Sequence, residues 1–425
     1  MMKIQSRLFL AGLAVLAAVP VSRNLHAQAT AVSADVAFLA ADRLEGRRIG
    51  SAGADSAAEY IARRFAALGL TAPDGGWFQE FAVSPSAPAA HGTPFGGARG
   101  RNVIGILPGS NPALREEYVI IGAHYDHLGL GGPGSLDPES HAIHNGADDN
   151  ASGTAALFEI ARRLREHPPA RSVLFLAFSG EELGLLGSAE YVKAPVVPIA
   201  QSVAMINLDM VGRLRNDRLI VYGVETAQEF RPLLDSLNAQ ARFDLHAQGD
   251  GYGPSDHSSF YAARMPVLHL FTDLHEDYHR PSDDAERIDA EGIVRVAAFA
   301  GEIATAVGNR PERLAVVDLP RPAPPAGSAS ATGGYGAYLG SIPDMTDSPG
   351  GVRLSGVRSG SPADQAGLAQ GDILIRIGEH DVADLMAMTT ALRAHRPGDT
   401  VDVLYLRNGE RHTARVTLGR RGGEG

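Results

Sequence analysis

The chain has 425 residues, 44% of them hydrophobic and 20% charged, and a formal net charge of −11. That length predicts two domains, the apolar share supports a real core, and the acidic balance argues against wrapping nucleic acid, which needs a basic face. It has no cysteine, which excludes disulfide scaffolds, thiolate metal sites, iron–sulfur clusters, cysteine nucleophiles and lipid attachment through cysteine, so any metal must be held by His, Asp and Glu.

The first residues read as a signal peptide. Lys3 and Arg7 form a positive start, Leu8 to Val21 is apolar, and Ala27-Gln28-Ala29 is a small-x-small cleavage pattern. The apolar run is short and broken by Pro20, below the roughly 20 residues a membrane span needs. Cleavage near 27–29 would remove three basic residues and no acid, taking the charge to −14 and leaving an exported, periplasmic or secreted, protein.

Residues 33–310 alternate apolar runs with helical patterns. Ser56 to Leu68 carries Tyr60, Ile61, Phe65 and Leu68 at helical spacing, and Ser152 to Leu164 repeats the pattern. Continuous apolar runs at Tyr118–Ile121, Val173–Phe178, Val203–Leu208, Leu219–Tyr222 and Pro266–Phe271 predict strands buried on both faces. Helical patterns return at 225–240 and 289–307. The fold class is therefore α/β, a mixed and largely parallel sheet flanked by helices. Residues 311–334 are a Pro-, Ala-, Gly- and Ser-rich linker, and 335–425 read as short strands with turns, Asn408-Gly409 among them.

Five polar clusters follow apolar runs: His124-Tyr-Asp126-His127, Asp148-Asp149-Asn150, Glu181-Glu182, Asp209, and His275-Glu276-Asp277-Tyr278-His279. An open α/β sheet gathers such clusters at one edge, where so many carboxylates repel one another unless a cation lies between them. Imidazoles with carboxylates suit zinc in a paired site. Of two adjacent glutamates, one can bind metal while the other takes a proton from water. The last cluster also fits the helical zinc-protease pattern of two histidines four apart, but Pro281 argues against a helix there.

These residues resemble metallopeptidase family M-28, the co-catalytic zinc aminopeptidases. The resemblance runs from about Phe38 to Val307. It includes the opening Leu39-Ala-Ala-Asp-Arg-Leu-Glu-Gly-Arg47, then Gly122-Ala-His-Tyr-Asp-His127, Gly146-Ala-Asp-Asp-Asn-Ala-Ser-Gly153, Phe178-Ser-Gly-Glu-Glu-Leu-Gly184, Asn207-Leu-Asp209, Ser255-Asp-His257 and Tyr278-His279. It implies two zinc ions: Asp149 bridging them after a loop with a cis peptide before Asn150, His124 and Asp209 completing one site, Glu182 and His279 the other. It further implies Glu181 as general base, Asp126 as the carboxylate that orients His124, and Tyr278 as a donor to the oxyanion. The implied activity is removal of N-terminal residues from peptides, with a carboxypeptidase or a glutaminyl cyclase-like enzyme on the same fold as alternatives. Arg213 and Arg280 are the arginines to weigh for a substrate carboxylate.

The C-terminal region resembles a PDZ domain. Ala337-Tyr-Leu-Gly-Ser-Ile342 stands at the carboxylate-binding loop, although Ser341 and Ile342 depart from the usual ending, and Gly360 to Leu374 matches the turn-helix-turn-strand of bacterial PDZ modules. A peptide C-terminus is the ligand this implies. The resulting organisation is a signal peptide at 1–29, a di-zinc peptidase domain at 30–310, the linker, and a PDZ domain at 335–425. A non-catalytic peptide-binding protein is the reading from another class; it would need a missing ligand or base, and none is missing.

Overall fold

A computed structural model describes residues 18–83, 97–132, 134–137, 140–249, 251–318, 337–343, 350–357, 360–383, 387–388, 391–392 and 394–419. The first domain is built on eight strands: β1 (Phe78–Ala82), β2 (Arg99–Leu107), β3 (Tyr118–His124), β4 (Ser172–Phe178), β5 (Ser202–Leu208), β6 (Arg218–Tyr222), β7 (Asp244–Gln248) and β8 (Val267–Phe271). They form one sheet in the order β1-β2-β4-β3-β5-β8-β6-β7. The central pairings of β3 with β4 and β5, and of β5 with β8, are parallel, while β1/β2, β2/β4 and β6/β8 are antiparallel.

The continuous apolar runs are explained by burial on both faces. Along β3, Val119 and Ile121 face the larger core and Ile120 the smaller one; along β4, Val173, Phe175 and Ala177 alternate in the same way with Leu174, Leu176 and Phe178. Helices α1 (Ala18–Leu39), α2 (Ala52–Ala67), α3 (Gly153–Glu166), α5 (Phe230–Ala241) and α7 (Ala290–Asn309) contribute to the larger core, while α4 (Leu186–Lys193) and α6 (His257–Ala262) contribute to the smaller. Capping follows the local sequence: Ser51 accepts from the Ala54 N–H at 3.1 Å and Asp289 from the Gly292 N–H at 2.9 Å. Each fully buried Leu, Ile or Phe on these faces, Ile61 and Phe65 among them, contributes about 1.5–3 kcal/mol.

α1 spans residues 27–29, where cleavage is expected, and Ala29, Val32, Val36 and Leu39 on it are buried in the larger core. One boundary differs from the expectation. Residues 313–318 belong to the first domain instead of the linker. Arg313 pairs with Glu117 at 2.7 Å, Leu314 is buried, Val316 bridges to Ala227, and Val317 donates its N–H to Thr226. The linker as expected falls otherwise largely outside the described residues.

The C-terminal domain has its own core, including Leu339, Leu354, Leu374, Ile377, Val403 and Val416. Its strands are β9 (Ser341–Pro343), β10 (Val352–Val357), β11 (Ile373–Ile377), β12 (His380–Asp381), β13 (Thr400–Arg407) and β14 (Glu410–Thr417), ordered β14-β13-β11-β10-β9 with β12 on β11. The Asn408-Gly409 turn is formed: Arg407 faces Glu410 across it, and both turn residues have positive φ, 53° and 83°. The short helix α8 (Pro362–Gln365) is capped by Ser361.

Candidate metal centre

The C-terminal ends of β3, β4, β5 and β8 converge on one edge of the sheet. β3 ends at His124; β4 leads to a one-turn 3-10 helix, Glu181–Leu183; β5 is followed by Asp209; β8 leads to a turn holding His275 and His279. Asp149 arrives on the loop that opens α3. That loop is pinned from several sides: Asp283 accepts the N–H groups of Asp148 and Asp149 at 2.9 and 3.1 Å, and Asn150 donates to the Leu208 carbonyl at 3.0 Å. The Asp149–Asn150 peptide is cis, as expected.

Two triads share Asp149. His124 Nε2 lies 3.4 Å from Asp149 Oδ1 and 3.3 Å from Asp209 Oδ1. His279 Nε2 lies 3.1 Å from Asp149 Oδ2 and 3.3 Å from Glu182 Oε2. Tetrahedral zinc with bonds of about 2.0–2.1 Å needs ligand atoms about 3.3 Å apart. In each triad both histidine–carboxylate distances have that size, which fits zinc. Both imidazoles are also aimed: His124 Nδ1 donates to the Asp126 carbonyl at 3.2 Å and His279 Nδ1 to the Gly134 carbonyl at 2.9 Å, so each Nε2 faces the site.

The electrostatics point the same way. Burial alone would lower both histidines, yet the surrounding acids win: Asp209 and Glu181 hold His124 well above the ordinary range, and Glu182 and Asp149 push His279 up to about 10. Burial would likewise raise Glu182, but His279 and His127 bring it down to about 2. Protons on imidazoles here stand where cations belong.

Glu181 stands outside both triads. Its Oε2 is 4.0 Å from His124 Nε2, and burial, reinforced by Glu182, Asp256 and Asp209 against the opposing pull of His124, raises it well above the usual carboxylate range. Asp126 is placed differently from the expectation. Its carboxylate Oδ1 is 3.9 Å from His124 Nδ1, too far for a hydrogen bond, because the ring is taken by its backbone carbonyl. The carboxylate accepts the Glu181 N–H instead, at 3.1 Å.

The helical zinc-protease alternative fails on geometry. Residues 276–279 form a turn, His275 Nε2 bonds Asp148 Oδ2 at 3.1 Å, and Glu276 is exposed. Tyr278 stacks on His279, with ring centroids 3.9 Å apart, and lines a cavity of about 660 Å³ together with Leu136, Arg280, Arg287 and, from the C-terminal domain, Tyr338 and Ser341. Arg213 is committed to Asp277 at 3.0 Å and Asp283 at 3.5 Å.

Two residues of the site had no role assigned from sequence. Arg47 is fully buried and donates to four backbone carbonyls: Leu39 at 2.5 Å, Tyr125 at 2.6 Å, Asn145 at 2.6 Å and Gly146 at 3.0 Å. It thereby ties the His124 turn to the Asp149 loop, and burial lowers its guanidinium to about 10. The other is His127, whose Nδ1 is 2.7 Å from Glu182 Oε1. Both lie in segments that carried the family resemblance, which was the one sequence signal available for them.

Residues 102–304 match the model of Peptidase family M28, and residues 337–418 that of the PDZ domain. Aminopeptidase YwaD of Bacillus subtilis is 30% identical over 216 residues, 48% of this chain and 43% of that protein. Leupeptin-inactivating enzyme 1 of Streptomyces exfoliatus is 28% identical over 254 residues, 59% of this chain and 49% of that protein. The chain thus spans less than half the length of these two curated relatives. Among solved structures, BSAP, a zinc aminopeptidase from Bacillus subtilis, superposes with a TM-score of 0.54 at 20% identity, over 67% of this chain and 96% of that one.

Proposed function

The chain joins a peptidase family M28 domain to a PDZ domain, and from that premise we propose that it is an exported two-zinc aminopeptidase. The observation that carries the reading is Asp149, whose two oxygens face two separate histidine–carboxylate pairs of zinc-binding size. His124, Asp209 and Asp149 would hold one ion; His279, Glu182 and Asp149 the other. Bound there, two zinc ions would acidify water and polarise the substrate carbonyl.

The remaining steps fall to the chain's own residues. Glu181 takes a proton from the attacking water and passes it to the leaving amine, a task suited to a carboxylate whose proton affinity is raised by burial. Asp126 holds the Glu181 backbone. Tyr278 offers its hydroxyl to the oxyanion from its stacked position on His279.

One observation favours a second reading. Arg280 lines the cavity beside Tyr278, where it is placed to receive a substrate carboxylate, as a carboxypeptidase requires. A panel of aminoacyl-anilides and N-blocked peptides, assayed with and without zinc, separates the two. Zinc-dependent turnover of free-amine substrates alone supports the aminopeptidase; preference for N-blocked peptides with a free C-terminus overturns it.

The PDZ domain is the proposed holder of a peptide C-terminus, by strand addition with backbone amides near Leu339 and Gly340 taking the carboxylate. Tyr338 and Ser341 share the cavity with Tyr278, which supports a tether for longer substrates. Export rests on Lys3, Arg7 and the Ala27-Gln28-Ala29 pattern. N-terminal sequencing of the mature protein, expected to start at 28–30, tests it.

A further inference from the structure

His127 sits on the turn after β3, beside the triad of His279, Glu182 and Asp149. Its side chain is buried, its Nδ1 is 2.7 Å from Glu182 Oε1 and 3.8 Å from Asp149 Oδ2, and its ring meets His279 edge-on with centroids 5.7 Å apart. By residue type and position it has two possible jobs, direct ligand or holder of a ligand. We propose that His127 is a positioning residue, which binds Glu182 Oε1 through its Nδ1–H and so presents Glu182 Oε2 to the metal held with His279 and Asp149. The proposal rests on the reading of those three residues as one zinc site.

Three observations separate the two jobs. The first is distance. The four histidine–carboxylate distances of the two triads run from 3.1 to 3.4 Å, the spacing of atoms that share a tetrahedral ion, whereas 2.7 Å between His127 and Glu182 is a charge-assisted hydrogen bond. The second is the division of labour on Glu182: Oε1 faces His127 and Oε2 faces His279, so the two imidazoles do not compete for one oxygen.

The third is the far side of the ring. A ligating imidazole donates its other N–H to a partner, as His124 does to the Asp126 carbonyl and His279 to the Gly134 carbonyl. His127 Nε2 is buried and has no hydrogen-bond partner among the described residues. Were Nδ1 to bind metal, the hydrogen would sit on Nε2 as a buried, unpaired donor, the costlier arrangement. With the hydrogen on Nδ1, it points at a carboxylate oxygen that can only accept. Gly146 leaves room for the ring in this pose, since an added Cβ there would come within 2.4 Å of His127 Cγ.

The test compares His127→Leu, which removes the donor, with His127→Asn, whose amide nitrogen replaces Nδ1 but is a poor zinc ligand. Zinc dissociation constants are measured by competition with a chromophoric chelator, alongside kcat and KM. The wild-type chain is expected to bind two zinc ions. His127→Leu should weaken one of them by about 10- to 100-fold and leave the other unchanged, with the loss of turnover in kcat and reversed by excess zinc. His127→Asn should recover most of the affinity. Equal loss in both variants would make His127 a ligand and overturn the proposal, as would wild-type affinity in His127→Leu. If His127→Leu does not fold, His127→Asn alone decides: retained affinity supports the proposal and lost affinity refutes it. A wild-type chain that binds no zinc removes the underlying metal reading, a failure distinct from any difference among variants.

Discussion

The backbone N–H of Glu181 donates to Asp126 Oδ1 at 3.1 Å, so the carboxylate expected to orient a metal ligand holds the backbone of Glu181, the proposed general base. Asp126→Ala should therefore lower kcat about 10- to 100-fold while zinc content stays near that of the wild type. Asp126→Asn keeps an oxygen in place to accept that N–H and should lose less. Zinc loss matching the activity loss in Asp126→Ala would return the residue to His124.

Glu181 and Glu182 should separate cleanly. Glu181→Gln keeps every ligand and removes the proton acceptor, so turnover should fall by about 10² to 10⁴ with both zinc ions present. Glu182→Gln should weaken one ion. Metal analysis with the opposite pattern would exchange the two roles. Glu276, exposed on its turn, should tolerate change to Gln with most activity retained.

Chelation should destabilise the fold as well as silence it. Asp149, Glu182, Asp209 and Glu181 crowd one buried edge, and a ligand that binds only the folded state stabilises by about 2.7 kcal/mol at a hundred times its dissociation constant. Tm should drop in chelator and recover with zinc. An unchanged Tm would mean that the site is empty in the working protein.

Acid should destabilise through two further histidines. His257 and His269 stack beneath the site with centroids 4.5 Å apart, and burial lowers His269 to about 4 and His257 well below the ordinary value. Below pH 6.5 the unfolded chain takes up protons that the folded chain refuses, so stability falls as pH falls, down to pH 4 and, for His257, beyond it. His269 alone accounts for about 3 kcal/mol across that window. In His257→Phe the dependence of stability on pH should be shallower; an identical slope would show that these imidazoles are already protonated when folded.

The C-terminal boundary also has a measurable position. A chain ending at 312 loses the Arg313–Glu117 pair and the burial of Leu314, the latter worth about 1.5–3 kcal/mol. One ending at Asp318 keeps both. The longer form should melt higher and cleave short substrates like the full chain, while KM rises for peptides long enough to reach the PDZ groove. Equal melting of the two forms would place residues 313–318 with the linker.

The legible parts of this molecule were those with redundant signals. β3, β4, β5 and β8 are buried on both faces, so each reads as an unbroken apolar run. β7, half-exposed along Asp244–Gln248, and β1, Phe78–Ala82, carry no such run, while the run of β2, Val103 to Leu107, is interrupted by Gly105; none of the three was among the expected strands. The polar clusters were legible because His, Asp and Glu after strands must gather at one edge; which of their residues would be ligands came from the family resemblance. What spacing does not convey is which atom of a residue does the work. Asp126 lies two positions from His124, and the pattern suggests carboxylate to ring; the fold uses its carbonyl for the ring and its carboxylate for Glu181. Arg47 was hidden for the same reason, since its partners are carbonyls that any residue possesses.

Arg47 has a consequence for where the catalytic unit begins. The segment that matches the peptidase family starts at residue 102 and contains every proposed ligand and the base. A fragment or chimera cut to those limits would keep every proposed ligand and still lack the guanidinium of Arg47, which joins the loops carrying them. The smallest working piece is therefore set by a strut upstream of the segment that matches the family model, and transplanting this centre to another scaffold means carrying that strut along.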